Sequence, residues 1–380
     1  DSTEQEFLTA WGNFFAVLCE RGYSESLAEC ITQTALYDEN AFSLSAAAGE
    51  TDFPKAMMNA VERDLSIILQ ISAITPEQIL EGCAFREELK GLQLPVWKNG
   101  EPVQALQGEL KNCIYKMSDY YRQNGCGMYA RYRAFIWRNK KIEPVAYPDK
   151  TRLSDLKAYE VQRKMAIENT LAFLQNLPAN NCLLYGDRGT GKSSTVKALL
   201  NEFYPKGLRV IEMPKEFLMD FPALVDQIAA IPMKFIVFID DLSFSKQDDT
   251  YAALKAVLEG GLAARPENTL IYATSNRRHL LRESFSDREG DEVHRGDTIQ
   301  ESLSLADRFG LSINFSLPDK ARYLEIVRQI AYQRGLTEYL DQLEIGAEQW
   351  ATQRGGRSPR CARQYIRAAE AKIRQGESLL

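Results

Sequence analysis

From the start of the chain to about Cys126, apolar residues recur at helical spacing, as in Phe7, Trp11, Phe14 and Leu18, with Gly22 following as a stop signal. Thr75-Pro76-Glu77 marks a further helix start, because a threonine hydroxyl can cap exposed amides and proline has no amide to lose. Between Tyr129 and Val145 the pattern turns to strand, which predicts a β-hairpin closing a mainly helical domain over residues 1–146. After Tyr147-Pro148-Asp149, short apolar runs alternate with amphipathic helices, the pattern of parallel strands joined by helical crossovers. The expected strands are Cys182 to Tyr185, Leu208 to Glu212, Phe235 to Ile239, Thr269 to Thr274 and Leu311 to Phe315. The helix between the first two carries Val196, Leu199, Leu200 and Phe203 on one face and ends before Pro205 and Gly207. An α/β domain is therefore predicted over residues 147–318. Beyond it, Tyr323, Ile326, Val327 and Ile330 form one helical stripe and Ala362, Tyr365, Ile366, Ala369 and Ile373 another, predicting a helical lid over 319–380. The charge-rich segment 283–302 reads as a long surface loop, and there is no internal repeat.

Composition adds few constraints. At 380 residues, 45% hydrophobic and 26% charged, the chain is an ordinary globular protein of two or three packed units. With 46 basic against 52 acidic side chains the net charge is -6, so nucleic acid or an anionic membrane would have to meet a local patch. One such patch is Arg131, Arg133, Arg138, Lys140 and Lys141 among Tyr129, Tyr132, Phe135 and Trp137. It fits stacking on a single strand, and equally a strand with buried rings and solvated cations. Seven cysteines without a C-x-x-C pair match neither a disulfide framework nor a zinc site, and a reducing cytoplasm is expected. His279 and His294 are the two histidines, so a metal would be held by oxygen. No apolar run nears the roughly 18 residues of a membrane span, and the opening DSTEQEF lacks the regions of a signal peptide.

The strongest chemical signal is Gly186-Asp187-Arg188-Gly189-Thr190-Gly191-Lys192-Ser193, which fits the phosphate-loop pattern G-x-x-x-x-G-K-[ST] at every defined position, between a strand and a helix. Glycines let the backbone curl until successive amides, through Ser194, face an anion at the positive end of a helix. Lys192 supplies a cation to the β- and γ-phosphates and the Ser193 hydroxyl suits Mg²⁺. The bland alternative is a glycine-rich turn. The run from Lys234 to Ile239 ends in Asp240 and Asp241, carboxylates that would be costly in a dry core but are natural at a sheet edge beside a metal. Asp240 is expected to hold Mg²⁺ and Asp241 to orient or deprotonate the attacking water.

Together these residues resemble the AAA+ group of P-loop ATPases, from about Tyr147 onward. GDRGTGKSS is similar to its Walker A motif and FIDDLSF to its Walker B motif. With ATSNRRHL and DRFG, the set more narrowly resembles a bacterial family of AAA+ ATP-binding proteins known as domain of unknown function 815. The resemblance implies an AAA+ parallel-sheet core with a helical C-terminal lid. It makes Asn276 the sensor residue that places water, an amide being able to donate to phosphate and accept from water; a helix cap is the alternative. It makes Arg308 an arginine finger reaching a neighbour's site, the alternative being an ion pair with Asp307. It makes Arg360, which follows Ser358-Pro359 on the first turn of the last helix, a second sensor on the γ-phosphate, against a plain surface arginine. Arg277, Arg278 and His279 would contact a phosphate or partner, or simply begin a helix. Many AAA+ proteins carry Asp-Glu where this chain has Asp240-Asp241. The shorter Asp241 would sit about one methylene farther from the water, which makes slow turnover the expectation, while helicase-loader and transposition-helper ATPases share Asp-Asp, so hydrolysis stays open. The segment Leu153 to Tyr159 is expected to flank the base.

The expected function is an oligomeric, Mg²⁺-dependent ATPase that converts ATP binding and hydrolysis into conformational change. The alternative is a nucleotide-gated nucleic-acid-binding or loader module with little turnover. A small-molecule kinase would share the phosphate loop but leaves the Arg308 and Arg360 motifs without a role.

Overall fold

The computed structural model describes residues 3–89, 91–243, 249–259, 266–276, 307–354 and 356–379, in two compact units that part at Arg131 and Tyr132. The first unit is helical: α1 (Glu4–Glu20), α2 (Leu27–Leu36), α3 (Ala41–Ala47), α4 (Lys55–Ser72), α5 (Pro76–Gly82), α6 (Leu110–Asn124) and the short α7 (Gly127–Arg131). The signals read from its sequence operate as expected. Thr75 accepts a hydrogen bond from the Gln78 amide at 3.3 Å, with Pro76 in the first turn of α5. On α1, Trp11 and Leu18 are buried while Phe14 lies outside the stripe, 42% exposed. One cluster gathers Trp11, Leu18, Leu27 and Trp97, and a second gathers Phe42, Leu106, Ile114 and Tyr121.

The second unit is built on a seven-stranded sheet in the order β2-β1-β4-β5-β6-β3-β7. Its strands are β1 (Ala134–Arg138), β2 (Lys141–Pro144), β3 (Cys182–Gly186), β4 (Leu208–Glu212), β5 (Lys234–Ile239), β6 (Thr269–Ser275) and β7 (Leu311–Phe315). All five strands expected in the α/β part form, parallel to one another. β3 and β6 are not consecutive in the chain yet lie side by side, so crossovers cover both faces. Phe235, Ile236, Val237 and Ile239 are accordingly fully buried, as a parallel sheet requires. α8 (Glu160–Leu174) and α9 (Lys192–Phe203) pack on the sheet, with Val196, Leu199, Leu200 and Phe203 of α9 in the core. α10 (Phe221–Ile228) and α11 (Asp249–Glu259) are further helices of this unit among the described residues.

The hairpin forms, but its place differs from the boundary expected at residue 146. β1 runs parallel to β4, pairing Ala134 with Val210 and Ile136 with Glu212, so the hairpin belongs to the sheet of the second unit. Asn139 and Lys140 at its tip both adopt positive φ, the two-residue turn that suits the twist of a hairpin. The strand also starts later than expected, since Tyr129 and Arg131 sit in α7.

The C-terminal helices α12 (Lys320–Gln333), α13 (Leu340–Gln353) and α14 (Pro359–Gln375) form the expected helical lid. Its core contains Tyr323, Ile326, Val327, Ile330, Ala362, Ile366 and Ala369, joined by Ala158 from the segment before α8. Ser358 caps α14 by accepting from the Cys361 amide at 3.2 Å, and Pro359 occupies its first turn. The loop expected at 283–302 and residues Arg277, Arg278 and His279 lie outside the described residues.

Candidate nucleotide-binding site

The phosphate loop connects the end of β3 to the start of α9 at the C-terminal edge of the sheet, where open α/β sheets bind ligands. Close approach explains its first glycine. A Cβ on Gly186, which has φ 128°, would stand 2.4 Å from the Phe315 carbonyl oxygen of the neighbouring strand. At Gly189 a Cβ would meet the Ser358 hydroxyl at 2.8 Å and the Arg360 Cβ at 3.1 Å, so the lid helix abuts the loop here. The Arg360 amide donates to the Gly189 carbonyl at 3.1 Å. Asp187 holds the loop to the chain leading into the lid: its carboxylate accepts from the Leu317 amide at 2.7 Å. Thr190 closes the turn by donating to the Asp187 carbonyl at 2.9 Å.

Lys192 is 6% exposed, and its ammonium donates to the carbonyls of Gly186 at 2.9 Å and Asp187 at 2.7 Å and to Asn276 Oδ1 at 3.3 Å. Burial pushes its pKa down to about 8, Asp187, Asp241 and Asp240 pull it back up, and Arg360 again lowers it. The ammonium is thus held at the mouth of the loop by neutral oxygens, which a phosphate can replace with charged ones.

Asp240 and Asp241 follow β5 at the same edge of the sheet as the phosphate loop. Ser193 Oγ donates to Asp240 Oδ1 at 2.7 Å, pairing the two oxygen groups expected to hold a metal. Thr274 Oγ1 donates to the same carboxylate oxygen at 2.5 Å and accepts from the Asp241 amide at 2.9 Å. Asp241 takes a positive φ of 53°, a costly conformation fixed by that bond. Asn276 Nδ2 donates to Asp241 Oδ1 at 2.6 Å, so one amide bridges the lysine and the second carboxylate. Thr274 was not singled out in the sequence. Its signal was present, a hydroxyl two residues before Asn276 on a strand neighbouring the one that ends in Asp240.

A cleft of ≈ 540 Å³ opens over these groups, within the range of small-molecule sites. Its lining includes the loop from Arg188 to Ser194, Asp240, Asp241 and Asn276. The lid contributes Arg360, and Leu156, Lys157 and Tyr159 arrive from the segment expected to flank a base. Arg308 does not line this cleft. It is half-buried and lies just before β7, whose first residue pairs with Cys182 at the opposite end of β3 from the phosphate loop. The separation along the strand is about 13 Å at 3.3 Å per residue.

A family model described as "Protein of unknown function (DUF815)" matches residues 130–373, more than half of the chain. The chain belongs to the DUF815 family. That span begins just before the structural division and takes in the hairpin, the sheet and the lid. Comparison with curated proteins gives no match. Among solved structures, the chain is similar to Thermotoga maritima RuvB. A mutant form of that protein, with serine in place of an alanine, is 14% identical over 60% of this chain and 67% of that one, with a TM-score of 0.40. The RuvB Holliday junction branch migration motor of that organism is 13% identical over 58% and 72%, with a TM-score of 0.34.

In the patch weighed for single-stranded nucleic acid, Tyr132 is half-buried. Tyr129, Phe135 and Trp137 are buried, and the Trp137 indole donates to Asp220 at 3.1 Å. All seven cysteines are free, no described helix is long and apolar enough to cross a membrane, and the described residues hold no cluster of three or more His, Cys, Asp or Glu suited to a metal.

Proposed function

We propose that this DUF815 protein is a Mg²⁺-dependent ATPase of the AAA+ type, working as an oligomer that turns ATP binding and hydrolysis into movement. The observation that carries this reading is the convergence of Lys192, Ser193, Asp240, Asp241 and Asn276 on one phosphate loop through the bonds from Lys192 to Asn276, Asn276 to Asp241 and Ser193 to Asp240. The amides of Gly189 to Ser194 and the N-terminus of α9 receive the phosphates, with Gly186, Asp187 and Arg188 shaping the approach. Lys192 and Arg360 bring positive charge to the β- and γ-phosphates.

A pair of oxygen donors with room for water fits Mg²⁺, which keeps most of its hydration, and fits zinc poorly. Ser193 and Asp240 would hold the ion, which when bound neutralises charge on the phosphates. Asp241 accepts a hydrogen bond from the attacking water and Asn276 fixes the carboxylate that does so. As the water oxygen bonds to the γ-phosphorus it passes a proton to Asp241, the bond from that phosphorus to the β,γ-bridging oxygen breaks, and ADP and phosphate leave, the proton following to solvent or phosphate. Arg308, remote from its own loop, serves a neighbouring subunit, where a permanently charged guanidinium meets the γ-phosphate.

Phosphate release in the Asp241→Asn protein tests the reading. The carboxamide keeps the shape and removes the acceptor charge, so the variant should bind ATP and lose phosphate release by at least about 100-fold. Retained turnover would take Asp241 out of this role.

A further inference from the structure

One charged feature of the cleft is left over once the triphosphate machinery is assigned. α14 starts against Gly189, and from Arg360 a stripe of its side chains, Arg363, Gln364 and Arg367, continues along the cleft wall. At 1.5 Å per residue, Arg363 stands about 4.5 Å and Arg367 about 10 Å beyond Arg360 along the helix axis. The stripe extends away from the phosphate loop along the same cleft that is lined by Leu156, Lys157 and Tyr159, the segment expected to flank a base.

Arg363 and Arg367 are four residues apart, so their like charges face each other on one helical surface and destabilise it. Arg363 is half-buried, which takes its guanidinium partly out of water, and both the burial and Arg367 hold its pKa below the usual value. Neither arginine has a hydrogen bond or ion pair among the described residues. Elsewhere in the lid, Arg328 pairs with Glu344, Arg357 with Glu348 and Arg334 with Glu370. Asp155 and Asp149 act on Arg363 through their charge without forming an ion pair, and each accepts hydrogen bonds from its own neighbours. Asp149 accepts from the Thr151 amide and hydroxyl at 2.8 and 2.6 Å, and Asp155 accepts from the Arg152 amide at 2.8 Å. An unmodified nucleoside presents no charge to this end of the cleft. Two adjacent guanidiniums on the cleft wall, neither held by a carboxylate in an ion pair among the described residues, match a group with several anionic acceptor oxygens.

We infer that the lid end of the cleft receives a phosphate carried on the ribose of the bound nucleotide, clamped between Arg363 and Arg367. The ligand class is then a nucleoside 5′-triphosphate with a second phosphate at the 2′ or 3′ position. This rests on the nucleoside-triphosphate reading of the same cleft. ATP fills the phosphate loop and leaves the two arginines unmet; the ribose phosphate meets both.

Calorimetric titration of the full chain with Mg²⁺ and three ligands tests the inference: ATP, adenosine 5′-triphosphate 3′-phosphate and its 2′-phosphate isomer. One of the two isomers should bind roughly tenfold or more tightly than ATP, the gain expected of new charge-assisted hydrogen bonds. In folded Arg363→Gln and Arg367→Gln proteins, checked by circular dichroism, that ratio should fall toward one. Arg363→Lys, which keeps charge but loses the planar fork, should retain an intermediate ratio. If ATP binds and neither isomer binds more tightly, the ribose-phosphate site is wrong while the ATP reading stands. A ratio that survives in both glutamine variants contradicts the arginine clamp. Failure of all three ligands to bind would overturn both readings.

Discussion

Lys192 shows how one side chain prepares the site. Its ammonium sits among carbonyl and amide oxygens with a pKa near 8, against 10.5 for a free lysine. A bound triphosphate brings negative charge and raises that pKa, so nucleotide binding near pH 8 should draw in about half a proton. Titrations in buffers of different ionisation enthalpy measure the uptake, and affinity should decline as the pH rises above about 8. Stability of the free protein runs the other way. Between about 8 and 10.5 the unfolded chain holds more protons at this lysine than the folded chain does, so its contribution to stability increases with pH. A binding enthalpy independent of buffer would contradict this account of Lys192. Asp241 makes the complementary case: its positive φ is held by Thr274, and the same hydroxyl donates to Asp240, so a single neighbour orients both carboxylates.

At the scale of elements, the parallel strands and the helix after the phosphate loop were legible because periodicity and burial are local consequences of the same pattern. Phe235 to Ile239 had to be buried on both faces wherever the strand lay. The loop was legible for a similar reason, since its glycines, lysine and serine are contiguous. Less accessible were placements that depend on distant pairing. β1 and β2 could be read as a hairpin, yet their union with β4 rests on register contacts such as Phe135 with Ile211, which periodicity does not encode. The aromatic and basic residues of that hairpin are spaced alike for a buried strand and for a binding face, and only the structure separates the two. Arg363 and Arg367 carry no local signal in the sequence, because their approach to the cleft follows from how α14 docks on Gly189. The hairpin's role can be tested directly. Trp137 is fully buried and anchored to Asp220, so Trp137→Ala should cost the second unit about 3–5 kcal/mol in chemical denaturation. A change within about 0.5 kcal/mol, the usual range of surface substitutions, would mean that the hairpin is peripheral to its stability.

For the molecule as a whole, the position of Arg308 leads to the assembly prediction. It lies toward the N-terminal end of the sheet while the phosphate loop lies at the C-terminal end, so one chain cannot bring both to the same phosphate. Under the proposed oligomeric reading, Arg308 would serve the site of a neighbouring subunit. Arg308→Ala and Asp241→Asn proteins should each be inactive alone, and mixing them should restore part of the phosphate release, because some interfaces then combine an intact Arg308 with an intact Asp241. No recovery in mixed assemblies shown to exchange subunits would contradict action across the interface. The lid joins this picture through two short links to the loop, Arg360 to Gly189 and Asp187 to Leu317, so an occupant of the loop bears directly on the lid.

The most direct test of the central claim is calorimetric titration of the folded protein with ATP and Mg²⁺, alongside Lys192→Ala. The account predicts saturable binding by the unaltered chain and its loss in the variant. Absence of binding by the unaltered, folded chain at millimolar nucleotide, or equal binding by both proteins, would contradict it.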